Sequence, residues 1–138
     1  MKRFLNILIL FCLFLSLSSI SKPIFSELNP TGTYEYDHGN YGDGTVKVQK
    51  IGTDKINVSL FVIGGPPSHN MGELIEVLKI KNGVAIFKSG DCTIKFTFNS
   101  KAVKVTQTGF ECGFGNGISA NGYYKKTSSK VPNMDESY

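Results

Sequence analysis

The chain has 138 residues, 15 Lys and Arg against 11 Asp and Glu, and a formal charge of +4. It has ten Phe, six Tyr, no Trp, and one arginine, Arg3. That length makes one domain. So few bidentate phosphate binders, with lysines scattered rather than interleaved with aromatics, exclude nucleic acid as the expected partner.

Lys2 and Arg3 precede 14 mostly apolar positions, Phe4 to Leu17, and Ser19 and Ser21 follow as small residues. That order is a signal peptide over residues 1–21, cut after Ser21. A spanning helix needs about 20 apolar residues, so cleavage is expected and no membrane span should remain. Location is then periplasmic or secreted. Cleavage removes Lys2, Arg3 and Cys12, lowering the charge to +2. Two cysteines remain, Cys92 and Cys112. In an oxidising compartment an even pair on a small domain forms a bridge.

Residues 22–30 read as an extended lead-in, 31–126 as the folded domain, and 127–138, polar and holding Pro132, as a disordered tail. Within the domain the apolar period is two. Tyr34 and Tyr36 share a face over Gly32 to Tyr36. Val46 and Val48 do so over Gly44 to Ile51, and Ile56, Val58, Leu60 and Val62 over Lys55 to Ile63. Leu74 to Lys81 is a less regular strand. Leu74, Leu78 and Ile80 share a parity that Glu76 interrupts while Ile75 and Val77 oppose it; a bulge would repair it, and a short helix over Met71 to Leu78 is the rival. Asn82-Gly83, lying between two apolar runs, marks a two-residue hairpin whose second run is a further strand. Cys92, Ile94, Phe96 and Phe98 alternate with Thr93, Lys95 and Thr97, a half-buried strand. Val103 and Val105 face inward over Ala102 to Thr108. Ile118, Ala120, Gly122 and Tyr124 share a face over Ile118 to Lys125.

Eight strands joined mostly by short turns predict an all-β fold: an antiparallel meander closed into a small barrel, with a two-sheet sandwich as the alternative. Three longer connections, Asp37 to Asp43, Gly64 to Asn70 and Gly109 to Gly117, are where binding residues are expected. The glycines of the last let the chain turn sharply beside the bridge, with Phe110 or Phe114 covering it. No nucleophile sits in a recognisable elbow. A hydrolase would need His38 or His69 beside an acid and a nucleophile. Asp37 and Asp43 do not match a calcium loop. No cofactor and no metal are expected.

The run Cys92 to Lys126, with its Cys-Gly-Phe-Gly and Gly-Tyr-Tyr sequences, resembles small exported bacterial proteins that carry a Cys-Gly-Phe-Gly … Gly-x-Tyr ending. It is distantly similar to periplasmic lysozyme inhibitors, which are small, disulfide-bonded, eight-stranded barrels. Their contact loop carries a Ser-Gly-x-x-Tyr motif that enters the enzyme's cleft. Ser89-Gly90 matches its start, while Thr93 stands at the aromatic position. The resemblance implies a non-enzymatic binding protein of the envelope, acting on a protein such as a lysozyme through barrel-end loops, with Ser89, Gly90 and Asp91 as contact candidates or else an ordinary turn. In the Gly64 to Asn70 connection, His69 beside Asn70 is a further contact candidate, or simply a turn. The alternatives are a small-molecule carrier using the barrel interior and a structural envelope protein.

Overall fold

The computed structural model describes residues 28–110 and 112–135. The expected signal peptide and most of the lead-in lie outside them. Eight strands follow in order: β1 (Gly32–Asp37), β2 (Gly42–Ile51), β3 (Lys55–Gly64), β4 (Met71–Lys81), β5 (Val84–Ser89), β6 (Cys92–Phe98), β7 (Ala102–Thr108) and β8 (Gly122–Ser128). Each pairs antiparallel with the next, and β8 returns to β1, closing the barrel. The barrel is therefore the architecture, and the sandwich is not.

The period-two pattern is the cause. Val46, Val48, Ile56, Val58, Leu60, Ile94, Phe96, Val103 and Val105 all point inward and are buried. Tyr34, Phe98 and Tyr124 fill the interior with them, and Tyr34 meets Phe98 edge-on with ring centroids 5.9 Å apart. Exposed Lys55, Lys79, Lys95, Lys104 and Lys125 stand outside. This apolar-in arrangement is the reverse of a membrane-spanning barrel, whose lipid face is apolar. No helix among the described residues is long and apolar enough to cross a membrane.

Several boundaries differ from expectation: β2 begins at Gly42 rather than Gly44 and β4 at Met71 rather than Leu74, while β1 and β3 each run one residue further. The last strand begins at Gly122, not Ile118, and runs to Ser128, into the expected tail. Ala120 is buried all the same, because Gln107 accepts its N–H through Oε1 (2.8 Å) and holds it against the core. Thr127 and Ser128 stay in the strand because β1 supplies ladder partners as far as Thr33↔Ser128.

The irregular fourth strand is a strand, and its register with β3 runs from Lys55↔Lys79 to Ile63↔Met71 with no bulge. The parity conflict is resolved another way. Asn82 and Gly83 take φ of 52° and 74°, the left-handed pair of a type I′ hairpin. Beyond that turn β5 is in register with β4 only at Lys81↔Val84 and Ile80↔Ala85 and then leaves it. The wall opens above Leu78, and Glu76 stays exposed despite its inward parity. An unpaired carboxylate in an apolar core costs several kcal/mol, so a closed seam here would be penalised.

The two interior tyrosines anchor the chain alike. Tyr34 donates its hydroxyl to the Pro30 carbonyl (2.7 Å) and Tyr124 to the Ala120 carbonyl (3.0 Å), each four residues upstream. Burial pushes the Tyr34 phenol up from 10.0 to about 12. Burial, and then Tyr36, raise that of Tyr124. The folded state thus holds these protons more tightly than the unfolded chain. The associated stability is complete below pH 10 and is lost as pH rises from 10 towards 12. Tyr34→Phe should cost about 1 kcal/mol at neutral pH through the lost hydrogen bond. It should also flatten the alkaline fall. Urea unfolding at a series of pH values checks both, and an unchanged alkaline slope would contradict the assignment.

Candidate functional site

An up-and-down meander puts alternate connections at the same end. The β1–β2, β3–β4, β5–β6 and β7–β8 connections share one end of the barrel, and the expected site residues all fall there. His69, Ser89, Gly90 and Asp91 are exposed, and Asn70 is half-buried. The connections are tied to one another. Gly65 N–H donates to the Tyr41 carbonyl (3.3 Å), joining the first to the second. The Asn70 amide donates to the Asn116 carbonyl (2.8 Å), joining the second to the last. Phe110 N–H donates to Asp91 Oδ2 (3.3 Å), joining the last to the third.

Two of the candidate contact residues therefore have structural work. Asn70 and Asp91 hold the β7–β8 loop from either side. His69 takes φ of 47° at the close of the β3–β4 loop, a conformation in which His is enriched among non-glycine residues. Ser89 and Gly90 form an ordinary tight turn, with Gly90 at φ 57°.

The loop from Gly109 to Asn121 spans the open seam. Cys92 and Cys112 are bonded, Cα atoms 5.0 Å apart, which fixes the loop to the start of β6. Gly115 N–H donates to the Met71 carbonyl (2.8 Å), fixing it to the start of β4. Gly109 has φ +84°, and a Cβ there would strike the Asp91 carbonyl, so only glycine fits the entry to the loop. Phe114, not Phe110, covers the inner side. Its ring lies on Gly72 so closely that a Cβ at Gly72 would collide with it. Phe110 points away and is 97% exposed.

An aromatic series runs from the core to solvent at this end. Tyr124 meets Tyr36 at 5.4 Å between centroids, Tyr36 stacks on His38 at 5.5 Å, and His38 meets Tyr41 at 5.2 Å. Tyr41 ends the 3-10 turn Gly39–Tyr41 and is 81% exposed. Beside the series lies a cleft of about 180 Å³, lined by Tyr36, His38, Tyr41, Asp43, Ser119 and Asn121 among others. Among the described residues no three His, Cys, Asp or Glu side chains gather as metal ligands.

No protein-family model, curated protein or solved structure matches the chain.

Tyr41 is not among the residues the sequence points to, and Phe110 is expected there as a cover for the bridge, which Phe114 provides on the inner side instead. Tyr41 sits in a Gly- and Asp-rich connection and Phe110 beside a glycine. An aromatic ring in such a setting has little core to enter, and that was the available signal. Serine at both Cys92 and Cys112 should destabilise the fold by about 3 kcal/mol. It should also make the chain near Phe110 cleavable by protease under native conditions. Denaturant midpoints and limited proteolysis, with and without reductant on the parent protein, measure the two effects.

Proposed function

We propose that this is an exported, non-enzymatic binding protein of the bacterial envelope. It engages a protein partner, such as a lysozyme, through the loops at the tied end of the barrel. The observation that carries this reading is the pair of protruding rings, Tyr41 and Phe110, on connections braced by a disulfide and cross-loop hydrogen bonds. Exposed aromatics on a rigid support lose little entropy on docking and bury much area. They supply the anchors that the absence of Trp and the near absence of Arg would otherwise deny. A steric plug needs shape and such anchors, not acid–base groups.

The interior argues against the carrier reading. Tyr34, Phe96, Phe98 and Tyr124 occupy the space a ligand would need. The disulfide is compatible with an oxidising compartment, and with residues 1–21 it supports export to the periplasm or beyond. The eight-stranded, disulfide-bonded barrel is also the architecture that the lysozyme-inhibitor resemblance implies.

The test is inhibition of lysozymes of each class, and pull-down from envelope extracts, by the exported form. Binding should weaken about tenfold or more on Tyr41→Ala or Phe110→Ser, with denaturant midpoints nearly unchanged. Failure to inhibit any lysozyme at micromolar excess would remove the lysozyme reading. Capture unaffected by both substitutions would remove this end of the barrel as the contact surface.

A further inference from the structure

The open seam leaves a strand edge whose limits are defined on both sides. Gly64 N–H donates to the Asn70 carbonyl and Ile80 N–H to the Asp54 carbonyl, both at 2.8 Å. Even-numbered residues of β4 thus turn their main-chain groups to β3, and odd-numbered ones turn theirs to the seam. At the upper end the Met71 carbonyl is taken by Gly115 N–H. At the lower end Lys81 is taken by Val84. Between them Glu73, Ile75, Val77 and Lys79 face the seam, and no residue of β5 is in register with them. Their side chains stand on the outer face and all are exposed, Ile75 at 55% and Val77 at 56%. Natural edge strands are usually blunted by charge, proline or cover. This one carries two adjacent apolar side chains between one acid and one base.

The geometry points to a second copy of this chain as the occupant of that edge, in an antiparallel β4–β4 pairing about a two-fold axis at Glu76. The register follows from the limits. Among the described residues no strand is in register with the seam side of β4 from 73 to 79, so the midpoint of that segment is residue 76, and only a pairing centred there uses all of it. That pairing sets Glu73 against Lys79 of the second copy, and Lys79 against its Glu73. It sets Ile75 against Val77, again twice. The odd-numbered residues, whose main-chain groups point to the seam, become the hydrogen-bonded pairs. Charge, apolar contact and hydrogen-bond direction agree in one register, as an isologous interface requires. The same pairing brings Glu76 against its own copy, a repulsion that limits the affinity. Because β4 meets β4 antiparallel, the two tied loop ends point in opposite directions, and the dimer presents two contact surfaces back to back. The dimer does not depend on what those surfaces bind.

Sedimentation of the exported form over a range of concentrations should show a monomer–dimer equilibrium. Glu73→Lys alone, and Lys79→Glu alone, each place like charges together twice and should weaken dimerisation by about tenfold or more. An equimolar mixture of the two single variants restores both opposite-charge pairs and should dimerise again. Glu76→Gln should tighten the parent dimer. Both exposed side chains can be changed without touching the core, and circular dichroism of each variant verifies its fold. A protein that stays monomeric up to hundreds of micromolar overturns the proposal. So does a dimer indifferent to the single charge reversals, or variants that fail to pair when mixed.

Discussion

The barrel rests on a seam that closes only partway. β4 has eleven residues and ladders with β3 over nine of them, but β5 has six and pairs with it at two positions. Glu76 is the physical reason for placing the opening here. It occupies an inward position on a strand whose other inward residues are apolar, and its carboxylate cannot be desolvated without a partner. Leaving the seam open above Leu78 keeps that charge in water, while Leu78 itself remains buried.

The rest of the loop-bearing end responds to that opening. A gap in the wall would leave half-buried apolar residues such as Leu74 and Phe87 beside solvent. The β7–β8 loop crosses the top of it, held by Cys112 at β6 and by Gly115 at β4, with Phe114 laid on Gly72. The disulfide is therefore more than a staple between distant points. It fixes the covering loop in the place where the ladder is missing, and in doing so directs Phe110 outward. The opposite, short-turn end needs no such device, since Asn82-Gly83 closes the β4–β5 corner and Leu28 packs beside Gly83.

The interior tolerates this because it is anchored elsewhere. Tyr34 and Tyr124 lie in β1 and β8, which meet at the closing ladder. Each spends its hydroxyl on a carbonyl just upstream of its own strand, so each fixes the chain's entry into the barrel while its ring fills the core. Lys126 adds to the same corner, its ammonium 5.4 Å from the Tyr34 ring centre and bonded to the Asn29 carbonyl.

Much of this was legible in order of residues alone. Alternation over Val46 to Val48, Ile56 to Val62 and Cys92 to Phe98 determined strands and their inward faces, because a strand's side-chain period is two whatever lies around it. Asn82-Gly83 determined a hairpin, because few dipeptides accept two left-handed residues. The two cysteines left after the expected signal peptide pointed to the bridge, and the structure bonds them. What the sequence could not decide is where pairing would stop. Glu76 read as a defect to be absorbed by a bulge, whereas the cheaper response was for the neighbouring strand to leave, a choice that depends on β5, the covering loop and solvent together. Asn70 and Asp91 read as contact residues because polar side chains in loops look alike in sequence. Only the tertiary structure brought Asn116 and Phe110 within hydrogen-bond reach of them, residues 46 and 19 positions away, and left Tyr41 and Phe110 in solvent.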